Sequence, residues 1–272
     1  MTTSIPLLQD AHLSLDNRIA TLSFNRDDVR NELTGTALVD DIVSTVDWIN
    51  RQETVSVLIL TGSGSSFSAG GNIKHMQNRA GAFAGDVYAV HQRYRQGIQR
   101  MSLAMHRLEV PVIAAINGAA IGAGFDLACM CDLRLAASSA KMGETFVNLG
   151  IIPGDGGAWY LQRLVGYQRA AELTFSGRVF DAFEALEMGI VLDVLADADL
   201  SARAQTLAES FASKPPQALR LSKRLMKSAQ RMELADFLDT CAIFQGVCHN
   251  SDDHLEAVNA FIDKRPPSFS GK

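Results

Sequence analysis

Two short runs of small residues could hold a negative oxygen on main-chain donors. The first, Ala69-Gly70-Gly71-Asn72-Ile73, follows the apolar run Val55–Leu60 and precedes a short helical segment. The second, Gly118 to Gly124, lies between the apolar run Val112–Ile116 and Phe125–Met130, which reads as a helix start. Small residues let another group approach the backbone closely. N–H groups freed at a helix N-terminus point outward with partial positive charge. Two such turns can converge two donors on one oxygen, an oxyanion hole suited to a carbonyl that becomes an enolate or a tetrahedral oxyanion. The Gly118–Gly124 run lacks the Gly-x-Gly-x-x-Gly spacing of a dinucleotide site, and no Lys-Ser/Thr follows as in a phosphate-binding loop. Two acids stand nearby in sequence. Asp126 falls in a helix first turn, which the dipole favours. Asp155, in Pro153-Gly154-Asp155-Gly156-Gly157, is placed to cap a helix from about Gly157.

The elements that must position these residues follow from periodicity and breakers. His12–Leu15 and Ile19–Phe24 flank Asp16-Asn17, a hairpin signal. Thr34 is placed to cap a helix running to about Asn50, with Leu38, Ile42, Val46 and Ile49 on one face. Val55–Leu60, Val112–Ile116, Leu133–Ala136 and Ile190–Leu195 read as strands, and Val87–Leu108 as one long helix. Ala158–Leu164 and Gln168–Phe175 read as two short helices, and Asp181 caps another through Met188. From Leu200 the chain is helical, broken at Pro215-Pro216. Strands alternating with helices, then a helical tail, predict an α/β core over residues 1–199 and a helical lid or assembly region over 200–272.

Composition narrows the class. The chain has 272 residues, 47% hydrophobic and 20% charged, with net charge −5, which argues against nucleic-acid binding through an overall basic surface. Its four cysteines lack metal-ligand spacing, and His249 and His254 read as surface residues, so no metal site is expected. No apolar run reaches membrane-spanning length and no secretory leader is visible, so a soluble, cytoplasmic protein is expected.

Phe67-Ser68-Ala69-Gly70-Gly71-Asn72-Ile73, Pro111–Gly118 and Gly122-Ala123-Gly124 together resemble the enoyl-CoA hydratase/isomerase (crotonase) family. Gly150–Gly157, Thr174–Gly177, Ala185–Val191 and Ala260–Arg265 continue the resemblance in family order over nearly the whole chain. It implies a crotonase-like spiral of ββα units with a C-terminal helical region, assembled as a homotrimer or homohexamer. It also implies an acyl-CoA thioester as substrate, with no cofactor beyond that coenzyme A. Carried over by position, the Gly71 and Ala123 amides hold the thioester oxygen. Ala69 and Ile73 line the pantetheine path, Arg30 meets the phosphates, and Phe261 and Lys264 reach the adenosine of a neighbouring subunit.

The sequence departs from the hydratase pattern at one position. Asp126 stands where the first of two hydratase carboxylates is expected, one methylene shorter than the usual Glu, while Phe146 falls on the second. Glu144, two residues earlier, reads as a structural acid at a turn, and Phe146 becomes part of the acyl wall. Asp155 matches, one residue late, the loop acid of isomerase-like members. The expected activity is therefore double-bond isomerisation or atypical hydration of an enoyl-CoA, with Asp126 and Asp155 as acid/base groups. The alternatives are a CoA-independent β-diketone hydrolase, which the Pro-Gly-Asp-Gly pattern also resembles, and a non-catalytic acyl-CoA-binding member.

Overall fold

A computed structural model describes residues 4–272. Strands β1 (Ala11–Asp16) and β2 (Ile19–Phe24) form the expected hairpin, with Asn17 at φ 44° and Arg18 at φ 72°. Positive φ at both turn positions matches the turn to the strands' own twist. Helix α1 (Leu38–Asn50) buries Leu38, Ile42, Val46 and Ile49 as its spacing requires. Thr34 does not cap it. The helix begins four residues later, and the Thr34 hydroxyl instead accepts the Asn72 N–H at 2.8 Å.

Three ββα units then follow: β3 (Val57–Gly62), β4 (Ser66–Ser68) and α2 (Ile73–Gln77); β5 (Val112–Ile116), β6 (Ala119–Ile121) and α5 (Ala123–Met130); β7 (Leu133–Ala137), β8 (Lys141–Gly143) and α6 (Gly157–Ser176). Between the first and second lie α3 (Val87–Gln96) and α4 (Ile98–Arg107). The single long helix expected here is broken at Gly97 (φ −110°, ψ −112°). The two short helices expected over 158–175 are the halves of α6, interrupted at Gly166 (φ 75°, ψ 164°). β9 (Phe180–Asp181), α7 (Ala182–Glu187) and β10 (Asp193–Leu195) complete the core, and Asp181 caps α7 by accepting the Glu184 N–H at 2.9 Å. Helices α8 (Leu200–Ala212), α9 (Pro216–Ala229), α10 (Leu234–His249) and α11 (Asp252–Asp263) end the chain.

The first strand of each unit enters a six-stranded sheet, β1-β2-β3-β5-β7-β10, and the second a four-stranded sheet, β4-β6-β8-β9. This is the predicted spiral of ββα units. In the large sheet only the β1–β2 pair is antiparallel. All five residues of β5 are buried, the unbroken apolar run of a parallel strand covered on both faces. Helix α8 packs on β3, β5 and β7 and contributes Leu200, Ala204 and Ala208 to the core. The spiral brings the ends of β4 and β6 together, and with them the two small-residue turns.

Candidate active site

The two turns touch. Gly70, at φ +78°, sits so close to the second turn that a Cβ there would lie 2.5 Å from the Ile121 carbonyl oxygen and 3.0 Å from the Ala123 nitrogen. The following Gly71 and the helix-starting Ala123 both line one cavity of about 210 Å³. Neither amide donates to another protein group among the described residues. Ala123 N–H is orphaned because it opens α5, where no carbonyl lies one turn back. Gly122, at φ 55° and ψ −124°, makes that turn in a conformation suited to glycine. A Gly70→Ala variant is expected to lose about 1–3 kcal/mol from the positive φ alone, and more from the carbonyl clash. The check is a lowered Tm together with loss of acyl-CoA binding.

The acids form a buried group at the base of this cavity. Asp155 lines the wall with Gly71, Ala123 and Phe146, and Asp126 is fully enclosed behind it and absent from the lining. All four oxygens are buried and none has a side-chain donor. The two carboxyls are within hydrogen-bonding reach of each other, so a single proton relieves the conflict. Burial is the main reason Asp126 is pushed well above the usual carboxylate range, and the charge of Asp155 and then Glu144 push it further. Asp155 is also raised by burial, held back by its hydrogen bond with Asp126 and by the Gly157 amide. Both carboxyls are raised, Asp126 the more strongly, so the pair favours holding one shared proton, and its titrations belong to the pair. Gly157 packs directly on the Asp126 carboxyl and leaves no room for a side chain.

Asp155 does not cap α6. The cap position belongs to Gly156 (φ 113°), with no side-chain cap bond. Its loop is held from α4 instead, where Gln99 Nε2 donates to the Gly154 carbonyl at 2.8 Å and the Ser102 hydroxyl donates to that of Asp155.

Glu144, also buried, accepts from the Thr174 hydroxyl through Oε2 and leaves Oε1 unpartnered. Burial, opposed by Thr174 and aided by Asp155, pushes it up to about 7. A folded value above the unfolded one, near 4.3, means the native state holds more protons between those two pH values. That share of stability is present below about pH 4 and is lost as pH rises through about 7. Glu144→Gln keeps an acceptor for Thr174 and removes this titration. It is expected to stabilise the protein at pH 8 relative to wild type by on the order of 1 kcal/mol, with no gain at pH 4, read by denaturation at both pH values.

Leu33, Val39, Met76, Phe83, Tyr94, Ile98 and Ile151 join Phe146 as the apolar and aromatic part of the wall, and Thr34, Thr36, Asp40, Arg93, Gln96 and Arg100 make up its polar part. Tyr94 is half-buried, its phenol raised by burial and by the Asp155 charge. Phe83 and Tyr94 carried no spacing signal in the sequence, since only tertiary packing brings them here. Arg30 is exposed, and its carbonyl accepts the Ala69 N–H at 2.9 Å, which sets it beside the first turn. Ile73 is exposed at the start of α2, just after the cap residue Asn72. Phe261 and Lys264 lie exposed at the end of α11, outside the cavity lining. Among the described residues no cluster of three or more His, Cys, Asp or Glu is arranged to hold a metal, and no helix is long and apolar enough to cross a membrane.

Comparison with known proteins agrees with this architecture. A family model described as enoyl-CoA hydratase/isomerase matches residues 14–272. Crotonyl-CoA hydratase of Syntrophomonas wolfei subsp. wolfei is 36% identical over 261 residues, covering 96% of this chain and 97% of the relative. The 1,2-epoxyphenylacetyl-CoA isomerase of Escherichia coli is 34% identical over 259 residues, covering 95% and 97%. The crystal structure of an enoyl-CoA hydratase from Bacillus anthracis superposes with a TM-score of 0.89 at 34% identity, covering 97% of this chain and 100% of that one. Agreement in sequence along almost the full length and in the course of the backbone has one consequence: the chain belongs to the enoyl-CoA hydratase/isomerase family.

Proposed function

We propose that this protein isomerises the double bond of an enoyl-CoA through a thioester enolate, with Asp155 as the group that moves the proton. The observation that carries the reading is the composition of one cavity wall. It holds two unpartnered amides, Gly71 and Ala123, beside the buried carboxyl of Asp155. The other acid of the lining, Asp40, is ion-paired with Arg100, and by the family resemblance Phe146 stands where a hydratase carries its second carboxylate. The thioester oxygen sits on the two amides, which stabilise it most when it carries the enolate charge. The Asp155 carboxylate takes a proton from one carbon of the acyl chain, the electron pair moves onto the thioester oxygen, and the same proton returns at the carbon two positions away. Asp126, protonated behind it, orients Asp155 and accommodates its change of charge. Phe146 keeps a nucleophilic water off the β-carbon. Activity is expected to fall with decreasing pH through a value above the ordinary Asp range, because burial raises Asp155.

Arg30, Ala69 and Ile73 carry the coenzyme A arm, with Phe261 and Lys264 supplied by a neighbouring subunit. Leu234, Leu238, Ile243, Leu255, Phe261 and Ile262 are exposed on α10 and α11, and large apolar side chains gathered on one region mark an interaction surface. That supports a homotrimer or homohexamer built on the region 200–272. One relative is named a hydratase and the other an isomerase at nearly equal identity, so the site rather than the similarity favours isomerisation. The experiment is to follow conjugated-thioester absorbance with each substrate. A rise from 3-enoyl-CoA, with 2-enoyl-CoA left unhydrated, is expected. Hydration of 2-enoyl-CoA alone, or turnover of a cyclic β-diketone without either thioester, contradicts the reading.

A further inference from the structure

We propose that a second cavity, between the C-terminal ends of α1 and α4 and the basic face of α9, binds a small diphosphate-bearing ligand of the nucleoside diphosphate class. The cavity measures about 700 Å³ and shares no lining residue with the one holding Gly71 and Ala123. Arg107, Arg220, Lys223, Arg224, Lys227 and Arg231 line it, and Glu109 is the one acid among its lining residues. In a chain of net charge −5 this concentration of cations is local.

Three of the six are neutralised by ion pairs: Arg107 with Asp47 at 3.8 Å, Arg220 with Glu109 at 3.0 Å and Lys223 with Asp132 at 2.6 Å. Arg224, Lys227 and Arg231 form no ion pair among the described residues, although the charge of Asp132, held by Lys223, reaches Lys227. Lys227 donates to the carbonyls of His106 at 2.7 Å and Leu108 at 3.4 Å, which carry only partial charge. The C-terminal ends of α1 and α4 together contribute roughly one negative charge. About two positive charges are left facing the cavity, the complement of a diphosphate. The crowding is visible in the groups themselves. Burial and the neighbouring Lys223 push Lys227 down to about 8, and burial with Lys227, Arg231 and Lys223 lowers His106.

The rest of the ligand has a place as well. An adjoining cavity of about 280 Å³ shares His106, Lys223 and Lys227 and continues along Met105, Met130, Trp159, Tyr160 and Met226. An apolar or aromatic body attached to the diphosphate fits that lining.

The chain has two tryptophans, of which Trp48 is buried and Trp159 is 42% exposed, so tryptophan fluorescence reports on this site. Full-length protein titrated with ADP is expected to show saturable quenching, displaced by pyrophosphate and weakened by added NaCl. The paired change Arg224→Glu and Arg231→Glu, both at exposed positions, is expected to weaken ADP at least about tenfold with Tm unchanged. Should the double variant not fold, Arg231→Gln is expected to weaken ADP measurably on its own. Arg30→Ala, beside the acyl-CoA turn, is expected to leave ADP binding as in wild type. The proposal is overturned if ADP does not bind saturably, if the α9 variants bind it unchanged, or if Arg30→Ala is the variant that loses it.

Discussion

Asp155→Asn is expected to lower kcat for isomerisation by about 10²–10⁴, the usual contribution of a positioned acid/base, while KM changes little. The Asp155 carboxyl lines the cavity beside the two free amides, and Gln99 and Ser102 of α4 fix its loop through the carbonyls of residues 154 and 155. An amide in its place keeps the size and the loop bonds but cannot accept the proton. Asp126→Asn separates the two roles. Asp126 is absent from the cavity lining, so its loss is expected to act through Asp155 and to shift the pH profile more than it lowers the plateau rate. Steady-state rates with 3-enoyl-CoA across pH distinguish these outcomes. Equal loss of kcat in both variants at every pH would place Asp126 on the substrate.

The second large effect is expected from Ala123→Pro, which deletes one of the two proposed oxyanion donors without adding a polar group. Proline is tolerated at the first position of a helix because the N–H it lacks has no helical partner there. Ala123 occupies that position in α5. Loss of one such donor typically costs 10²–10³ in kcat, about 2.7–4 kcal/mol of transition-state stabilisation. Rates and thermal unfolding measured on the same preparation check it. A folded variant of unchanged kcat would remove Ala123 from the oxyanion hole. The loss is expected in kcat more than in KM, since the oxygen carries its charge in the transition state.

Much of the fold was legible because local signals and tertiary packing agree. The β1–β2 hairpin, its turn one residue later than expected on Asn17-Arg18, the apolar face of α1, the unbroken run of β5 and the Asp181 cap follow from their residues. The small residues around Gly70 and Gly122 signalled a close approach of two backbones, and the structure brings those turns into contact. What the sequence did not show depends on groups distant in the chain. Thr34 had the residue type of a cap, but its hydroxyl is taken by the Asn72 amide. Asp155 likewise stands at the head of a helix yet faces Asp126, because the ββα spiral stacks α5 against the start of α6. Nor could spacing foretell that Glu144 would lie within the field of the other two acids. The basic cavity joins the ends of α1 and α4 to α9, more than a hundred residues on.

The claim beneath all of this is that the Gly71 and Ala123 amides stabilise a thioester enolate formed by Asp155. The most direct test is exchange of the α-protons of a saturated acyl-CoA in D₂O, followed by NMR or mass spectrometry, because exchange requires the enolate and no later step. Wild-type protein is expected to incorporate deuterium at the α-carbon, with the rate falling at least about a hundredfold in Asp155→Asn and in Ala123→Pro. An acyl-CoA that binds but stays unlabelled, or labelling that continues unchanged in both variants, would contradict it.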